Sequence, residues 1–357
     1  MNKTKGEIMN NFKKIGLTAL AGSLAAVSAN AVELSVSGET TVSYISNTAE
    51  KVNTIGGNSI GTSTGITFSG SGELENGWTV SSSNILNDGD ANALSSSQLN
   101  LTMGSMGTVT FAKAAGTNVN AIDDVTPKVA EEAWDQAAAS VLQGIGSSTN
   151  SGAVAYKSPS FDLGGITASF GVDYDPAAGG AGNDHDAVAA KTSTAASGMG
   201  AVVKLSHESG LTLGAGMEEI SSNSGNDAEA KNVTAYALYT MGPVSVGYQG
   251  YYLNNGTNGA KTAAADAAGA DYSGNAIGVA FNVNDQVSIG YQKVTEDKES
   301  YTSTAGVSRD IKSLSAAYSS GGMTMSIQST DTDNYSMASA GNELDVEAVQ
   351  VTLSFAF

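Results

Sequence analysis

The chain has no cysteine, only four prolines and two histidines, and a single arginine, Arg309, among its 16 basic residues. Without cysteine there is no disulfide framework, so the fold depends on hydrogen bonding and burial. No apolar run is long enough for a membrane-spanning helix. Large apolar residues are also too sparse for an ordinary soluble core, because Gly (43 residues), Ser, Thr, Ala and Asn dominate. Basic residues are outnumbered by 35 acidic ones, for a net charge of −19, so a nucleic-acid partner is not expected. Composition taken alone suggests a loosely packed or disordered soluble chain. The order of the residues argues otherwise.

The N-terminus has the parts of an export signal. Lys13 and Lys14 precede an apolar run from Ile15 to Val27, and Ala29-Asn30-Ala31 supplies small residues for cleavage. Residues 1–31 are therefore predicted to be a signal peptide cut after Ala31, leaving one domain over 32–357. Met9 also stands before a complete charged region, so translation could start at Met1 or Met9. The leader holds Lys3, Lys5, Lys13, Lys14 and Glu7, a net of +3, and its removal takes the charge from −19 to −22.

From Val32 the residues alternate. Val32, Leu34, Val36, Val42 and Tyr44 share one parity, whereas Glu33, Ser35, Ser37, Glu39, Thr41 and Ser43 share the other. Period two gives a strand with one apolar and one polar face. Sixteen such runs follow one another, the last through Val349, Val351, Leu353, Phe355 and Phe357. Short turns such as Glu75-Asn76-Gly77 alternate with long polar loops. An even number of strands in such a meander predicts an all-β transmembrane antiparallel up-and-down barrel, closed so that no edge faces lipid. A soluble sandwich would place its aromatics in mid-strand. Here Trp78, Tyr239, Phe281, Tyr318, Phe355 and Phe357 gather toward the short turns, and Tyr44, Phe111, Tyr174, Tyr252 and Tyr291 toward the long loops, as two interfacial girdles would.

One segment, the third long loop at about 113–150, breaks the rhythm. Thr126 and Pro127 suit a helix start, the following alanines its interior, and Gly144 its stop, so a short helix is predicted there. The segment carries Asp123, Asp124, Glu131, Glu132 and Asp135. Lys128 is placed to offset Glu131 or Glu132, and helical spacing would put Glu131 and Asp135 on one face. The expectation is an inward-folded plug whose carboxylates concentrate cations and repel anions at a pore constriction. A merely solvated acidic face is the plainer alternative. The lumen-facing basic candidates are Lys157, Lys204 and Arg309.

The leader, the sixteen amphipathic strands, the acidic third loop, Ala155-Tyr156-Lys157-Ser158-Pro159 and the terminal phenylalanine together resemble the Gram-negative general diffusion porins, especially the alphaproteobacterial type. The resemblance implies a homotrimer in the outer-membrane lipid that passes small hydrophilic solutes and ions through a lumen narrowed by the third loop. It also implies that Leu353, Phe355 and Phe357 act as an assembly signal read by the barrel-assembly machinery. The chain departs from that family's usual arginine cluster opposite the loop, for the first five strands contain none.

Other readings stay open at this point. A loop-plugged surface adhesin or structural barrel would use its long loops for binding, and a sugar-specific channel would want lumen aromatics, for which Tyr236 and Tyr251 have the right parity. No enzyme activity is expected, since His207 has outward parity, His185 lies in a loop, and the sequence near them completes no nucleophilic site. No cofactor is expected either. Gly179 to Asp184 matches one unit of a calcium-binding repeat, which makes Asp175, Asp184 and Asp186 weak calcium candidates.

Overall fold

The computed structural model describes residues 33–49, 57–88, 94–113, 116–135, 145, 152–176, 195–222, 229–254, 270–300, 306–338 and 342–357. The leader predicted over 1–31 lies outside them, as do His185, Asp184, Asp186 and Gly144.

The described chain is almost all strand: β1 (Glu33–Ala49), β2 (Gly57–Glu73), β3 (Thr79–Asn87), β4 (Leu94–Thr102), β5 (Thr108–Lys113) and β6 (Ala153–Lys157). After β7 (Phe161–Asp162) come β8 (Ile166–Asp175), β9 (Ala195–His207), β10 (Leu211–Ser222), β11 (Ala230–Met241) and β12 (Val244–Asn254). The series closes with β13 (Ala270–Asn282), β14 (Val287–Ser300), β15 (Val307–Ser320), β16 (Met323–Asp333) and β17 (Val346–Ala356). Apart from β6 and β7, which both pair with β8, each pairs antiparallel with its sequence neighbours, and β1 pairs with both β2 and β17, so the sheet is a closed barrel.

β6 and β7 lie end to end along β8, so the wall has sixteen staves, the number the alternation predicts. Between Lys157 and Phe161 three residues face two on β8, a bulge of one residue. Pro159 has no N–H to give the ladder, and Ser158 repairs the gap from both sides. Its N–H donates to the Phe170 carbonyl at 2.9 Å and its hydroxyl accepts from the Phe170 N–H at 2.9 Å.

Short turns close one end of the barrel. In the first, Gly77 takes φ 80°, which L side chains rarely adopt, and the Leu74 N–H reaches the Trp78 carbonyl at 2.7 Å.

Burial is inverted relative to a soluble protein. Outward Leu314 is 64% exposed, whereas Gln249, Glu296 and Thr332, all facing the lumen, are at most 1% exposed. Both aromatic girdles stand outward as predicted: Tyr44, Phe111, Tyr174, Tyr252 and Tyr291 toward the long loops, and Tyr239, Phe281, Tyr318 and Phe355 toward the short turns, are all exposed. Above the loop-side girdle the outer wall turns ionic, with Lys293 paired to Asp310 at 3.5 Å and Lys312 to Asp333 at 3.2 Å. Apolar side chains in this arrangement gain their stabilisation from hydrocarbon outside the wall.

The last residue forms the seam. Phe357 donates to the Gly38 carbonyl and accepts from the Gly38 N–H, both at 2.8 Å. Its ring lies over Gly38, where an added Cβ would stand 2.5 Å from the ring edge. Gly38→Val is therefore expected to displace the exposed Phe357 ring and crowd the Gly65 carbonyl, 3.0 Å from the same Cβ, at a cost of about 1 kcal/mol. Urea unfolding in lipid vesicles measures this, and an unchanged midpoint would show that the ring does not seat there.

Candidate functional site

The third loop lies inside the barrel and runs along the wall from β8 to β16, held by a series of lumen-facing side chains. At its start Asp173 of β8 accepts the backbone N–H groups of Asn118 and Val119 at 3.0 and 2.8 Å, and the Asn118 amide at 2.7 Å. Further on, Gln249 of β12 accepts from the Val125 N–H at 3.0 Å and donates to the Ile122 and Asp123 carbonyls at 2.9 and 3.0 Å. Gln292 of β14 accepts from the Ala133 N–H at 2.9 Å and donates to the Thr126 hydroxyl at 3.3 Å. Gln328 of β16 donates to the Glu132 carbonyl at 3.4 Å. Bonds to the Asp173 carboxylate are worth about 1.5–3 kcal/mol each, and the neutral ones about half that.

An apolar cluster pins the far end. Trp134, 1% exposed, packs with Ala133 against Tyr251, Leu253, Ala276, Val294 and Ile311. These wall residues occupy lumen-facing positions, so the cluster lies inside the barrel. The Tyr251 hydroxyl beside it donates to Glu296 at 2.9 Å.

These grips explain why the predicted helix does not form over 126–135. That stretch is turns and bends, and the only helical turn between 116 and 135 is the 3₁₀ segment Asn120–Ile122. The N–H groups of Val125 and Ala133 and the carbonyls of Ile122, Asp123 and Glu132 bond to wall side chains, so they are not free for helical pairing. The rest of the predicted helix, 136–144, lies outside the described residues. The described part of the loop does fold inward, and it follows the wall.

The predicted carboxylates fall into two groups. Asp123 and Asp124 form one, and burial, reinforced by the charge of Asp124, pushes the Asp123 carboxyl up to about 7. Glu131, Glu132 and Asp135 form the other, with oxygens within 4.8 Å of one another. Glu132 is buried and ion-paired with Lys128. Asp135 is raised by burial, an effect that Lys128 opposes. The accessible charge of the loop therefore rests on Asp124 and Glu131, with Asp135 partly offset by Lys128 and Asp123 contributing as it ionises.

Of the three predicted bases, Lys157 and Lys204 remain open to the lumen. They line a cavity of about 480 Å³ together with Gln98, Asn100, Tyr236 and loop residues Asn118 and Ile122. Arg309 is a different case, since its guanidinium is buried and paired with Glu296, also donating to the Tyr335 carbonyl at 3.0 Å. It is structural and adds no open charge to the pore. Tyr236 and Tyr251 have the lumen parity expected of them but are both buried, so they offer no aromatic track to a sugar. His207 is exposed, and its Nδ1 lies 2.8 Å from the Ser209 hydroxyl within a short turn. Asp175 is buried at the end of β8.

A closed barrel with apolar residues outside, polar residues inside and a loop bound along its inner wall defines an outer-membrane channel. The chain belongs to the Gram-negative porin family, whose profile matches residues 16–319. No curated protein sequence matches it. Several solved structures share the fold. The anion-selective porin from Comamonas acidovorans is 14% identical, over 91% of this chain and all of that one, with a TM-score of 0.62. Salmonella typhi OmpF, solved with daunomycin, is 15% identical over 93% and 99%, with a TM-score of 0.64. OmpT, an outer membrane protein of Vibrio cholerae solved in a trimer form, is 11% identical over 91% and 99%, with a TM-score of 0.62.

If the Trp134 cluster pins the loop, Trp134→Ala should remove about 3–5 kcal/mol of holding energy. Amide exchange at Val125 and Ala133, followed by mass spectrometry in detergent, should then accelerate at least about tenfold. Equal exchange rates in variant and wild type would place the anchor elsewhere.

Proposed function

We propose that the protein is a passive, water-filled channel for small hydrophilic solutes and ions, that it prefers cations, and that the third loop sets this preference. The observation that carries the reading is the contrast across the lumen. Asp123, Asp124, Glu131 and Asp135 stand on the loop, whereas the described residues of β1 to β5 include one base, Lys113, which shares the outward parity of Phe111. The lumen face of those strands is mainly hydroxyl and amide: Ser35, Ser37, Thr41, Ser63, Thr67, Ser81, Asn100 and Thr110. Carboxylates facing a wall whose described residues carry no inward base, and whose own lumen-face charges are the carboxylates Glu33, Glu39 and Glu73, hold a negative potential in a confined passage. Lys157 and Lys204 moderate that potential near the start of the loop. Selectivity cannot be taken from the fold, since a barrel as similar as the Comamonas protein is named anion-selective.

The same reading places a homotrimer in the outer membrane after removal of residues 1–31, with Leu353, Phe355 and Phe357 as the segment the assembly machinery recognises. It requires no cofactor, and calcium at Asp175, Asp184 and Asp186 has no part in it.

The charge assignment has a definite sign with pH. Asp123, raised to about 7, is mostly neutral at pH 6 and mostly ionised at pH 8, so cation preference should grow between the two. Reversal potentials in a potassium chloride gradient read this, and Asp123→Asn should flatten the change. A wild-type reversal potential that did not move between pH 6 and pH 8 would remove Asp123 from the filter. The combined variant Asp124→Asn, Glu131→Gln, Asp135→Asn should shift the reversal potential toward zero at pH 8 with a smaller effect on conductance. Glu132 is left unchanged, because its removal would expose the charge of Lys128.

A further inference from the structure

Six glycines on the lumen face of the wall lie beneath the third loop, in the order in which the loop passes them. Asn118 sits over Gly171 of β8, Val119 over Gly200 of β9, and Ile122 over Gly216 of β10. Pro127 sits over both Gly247 of β12 and Gly278 of β13, and Val129 over Gly290 of β14. A Cβ at Gly247 would stand 2.5 Å from the Pro127 ring and 2.7 Å from a Leu238 methyl of the wall, at Gly200 2.7 Å from a Val119 methyl, and at Gly290 2.9 Å from both a Val129 methyl and the Ser315 hydroxyl of the wall. At Gly171, Gly216 and Gly278 it would overlap the Asn118 amide, the Ile122 terminal methyl and the Pro127 carbonyl oxygen.

Backbone conformation does not account for these residues, because none of the six has a positive φ. Glycine weakens a strand interior and is expected there only where another chain segment must come close. Two further lumen-face glycines, Gly214 and Gly274, make room for the wall tyrosines Tyr236 and Tyr251 and not for the loop, and the opposite wall provides the comparison. On the lumen parity of β2, a Cβ at Gly61 would meet its nearest neighbour at 3.5 Å and one at Gly65 at 3.8 Å, which are ordinary contacts.

We propose that these six glycines form a track that fixes how far the third loop stands off the wall, and thereby sets the bore and the solute size limit of the channel. The inference rests on the passive-channel reading and is independent of the cation preference. An added methyl requires contacts of about 3.5–4.0 Å, so each substitution would lift the loop by about 1 Å. Asp173 and the Trp134 cluster hold both ends of the described loop, which leaves the open lumen as the direction of displacement.

Single-channel conductance in planar bilayers tests the track, using wild type, Gly200→Ala, Gly278→Ala, Gly65→Ala, and Gly200→Ala combined with Val119→Ala. Gly200→Ala and Gly278→Ala should lose conductance, and Gly65→Ala should not. Adding Val119→Ala deletes the two methyls that the new Cβ meets most closely, leaving only the Asp173 carboxylate oxygen at 3.3 Å, and should return Gly200→Ala to near the wild-type value. If Gly200→Ala alone gives no folded barrel, the combined variant carries the test: wild-type conductance supports the track, whereas reduced conductance or failure to fold overturns it. Wild-type conductance in Gly200→Ala and Gly278→Ala would show that the wall yields instead of the loop, and would also overturn it. An inserted wild-type barrel that does not conduct would instead refute the channel reading and, with it, the proposed role of the track.

Discussion

Hydrocarbon offers no partner to a backbone amide, and that constraint governs the whole molecule. Every strand must satisfy its N–H and C=O groups within the wall, so the sheet has to close, and β1 meets β17 along a continuous ladder finished by the two bonds between Gly38 and Phe357. Closure assigns the two faces of each strand to different surroundings. The outward face is apolar because lipid covers it. The inward face is free to be polar, and this lets a protein poor in large apolar residues fold at all.

The enclosed surface then serves as the docking site for the third loop. Polar side chains on the inner wall would be costly if buried without partners, and Asp173, Gln249, Gln292 and Gln328 bury themselves by pairing with loop backbone. The exchange benefits both sides, since it also satisfies loop amides that have no secondary structure of their own. Where the wall has apolar residues on its inner face, Val294 and Ile311 among them, they lie around Trp134. The loop is thus bound the way a peptide ligand is bound, and its remaining carboxylates are presented toward the wall of β1 to β5, which has no inward-facing base among its described residues.

Much of this architecture was readable from residue order. Period-two alternation requires only local sequence, so the sixteen staves, both girdles and the Glu75-Asn76-Gly77 turn were all visible. Features that depend on partners distant in sequence were not. The Thr126-Pro127 start and the alanines suggested a helix, but Gln249 and Gln292, more than a hundred residues away, take the backbone groups between 122 and 133. Arg309 looked like a lumen charge until the β14–β15 register set it opposite Glu296. Val294 and Ile311 on a polar parity, and glycines in mid-strand on the same parity, were signals in the sequence whose meaning appears only once the loop is seen against them.

The account makes the acidic loop, and not the overall charge of −19, responsible for selectivity. Fixed charge at a constriction acts over the Debye length, about 30 Å at 0.01 M salt and about 3 Å at 1 M. The most direct test is the wild-type reversal potential under a constant concentration ratio of potassium chloride, repeated from low to high mean salt at pH 8. The account predicts a cation-preferring potential at low salt that declines toward zero as salt rises. An anion-preferring potential, or none at low salt, would contradict it.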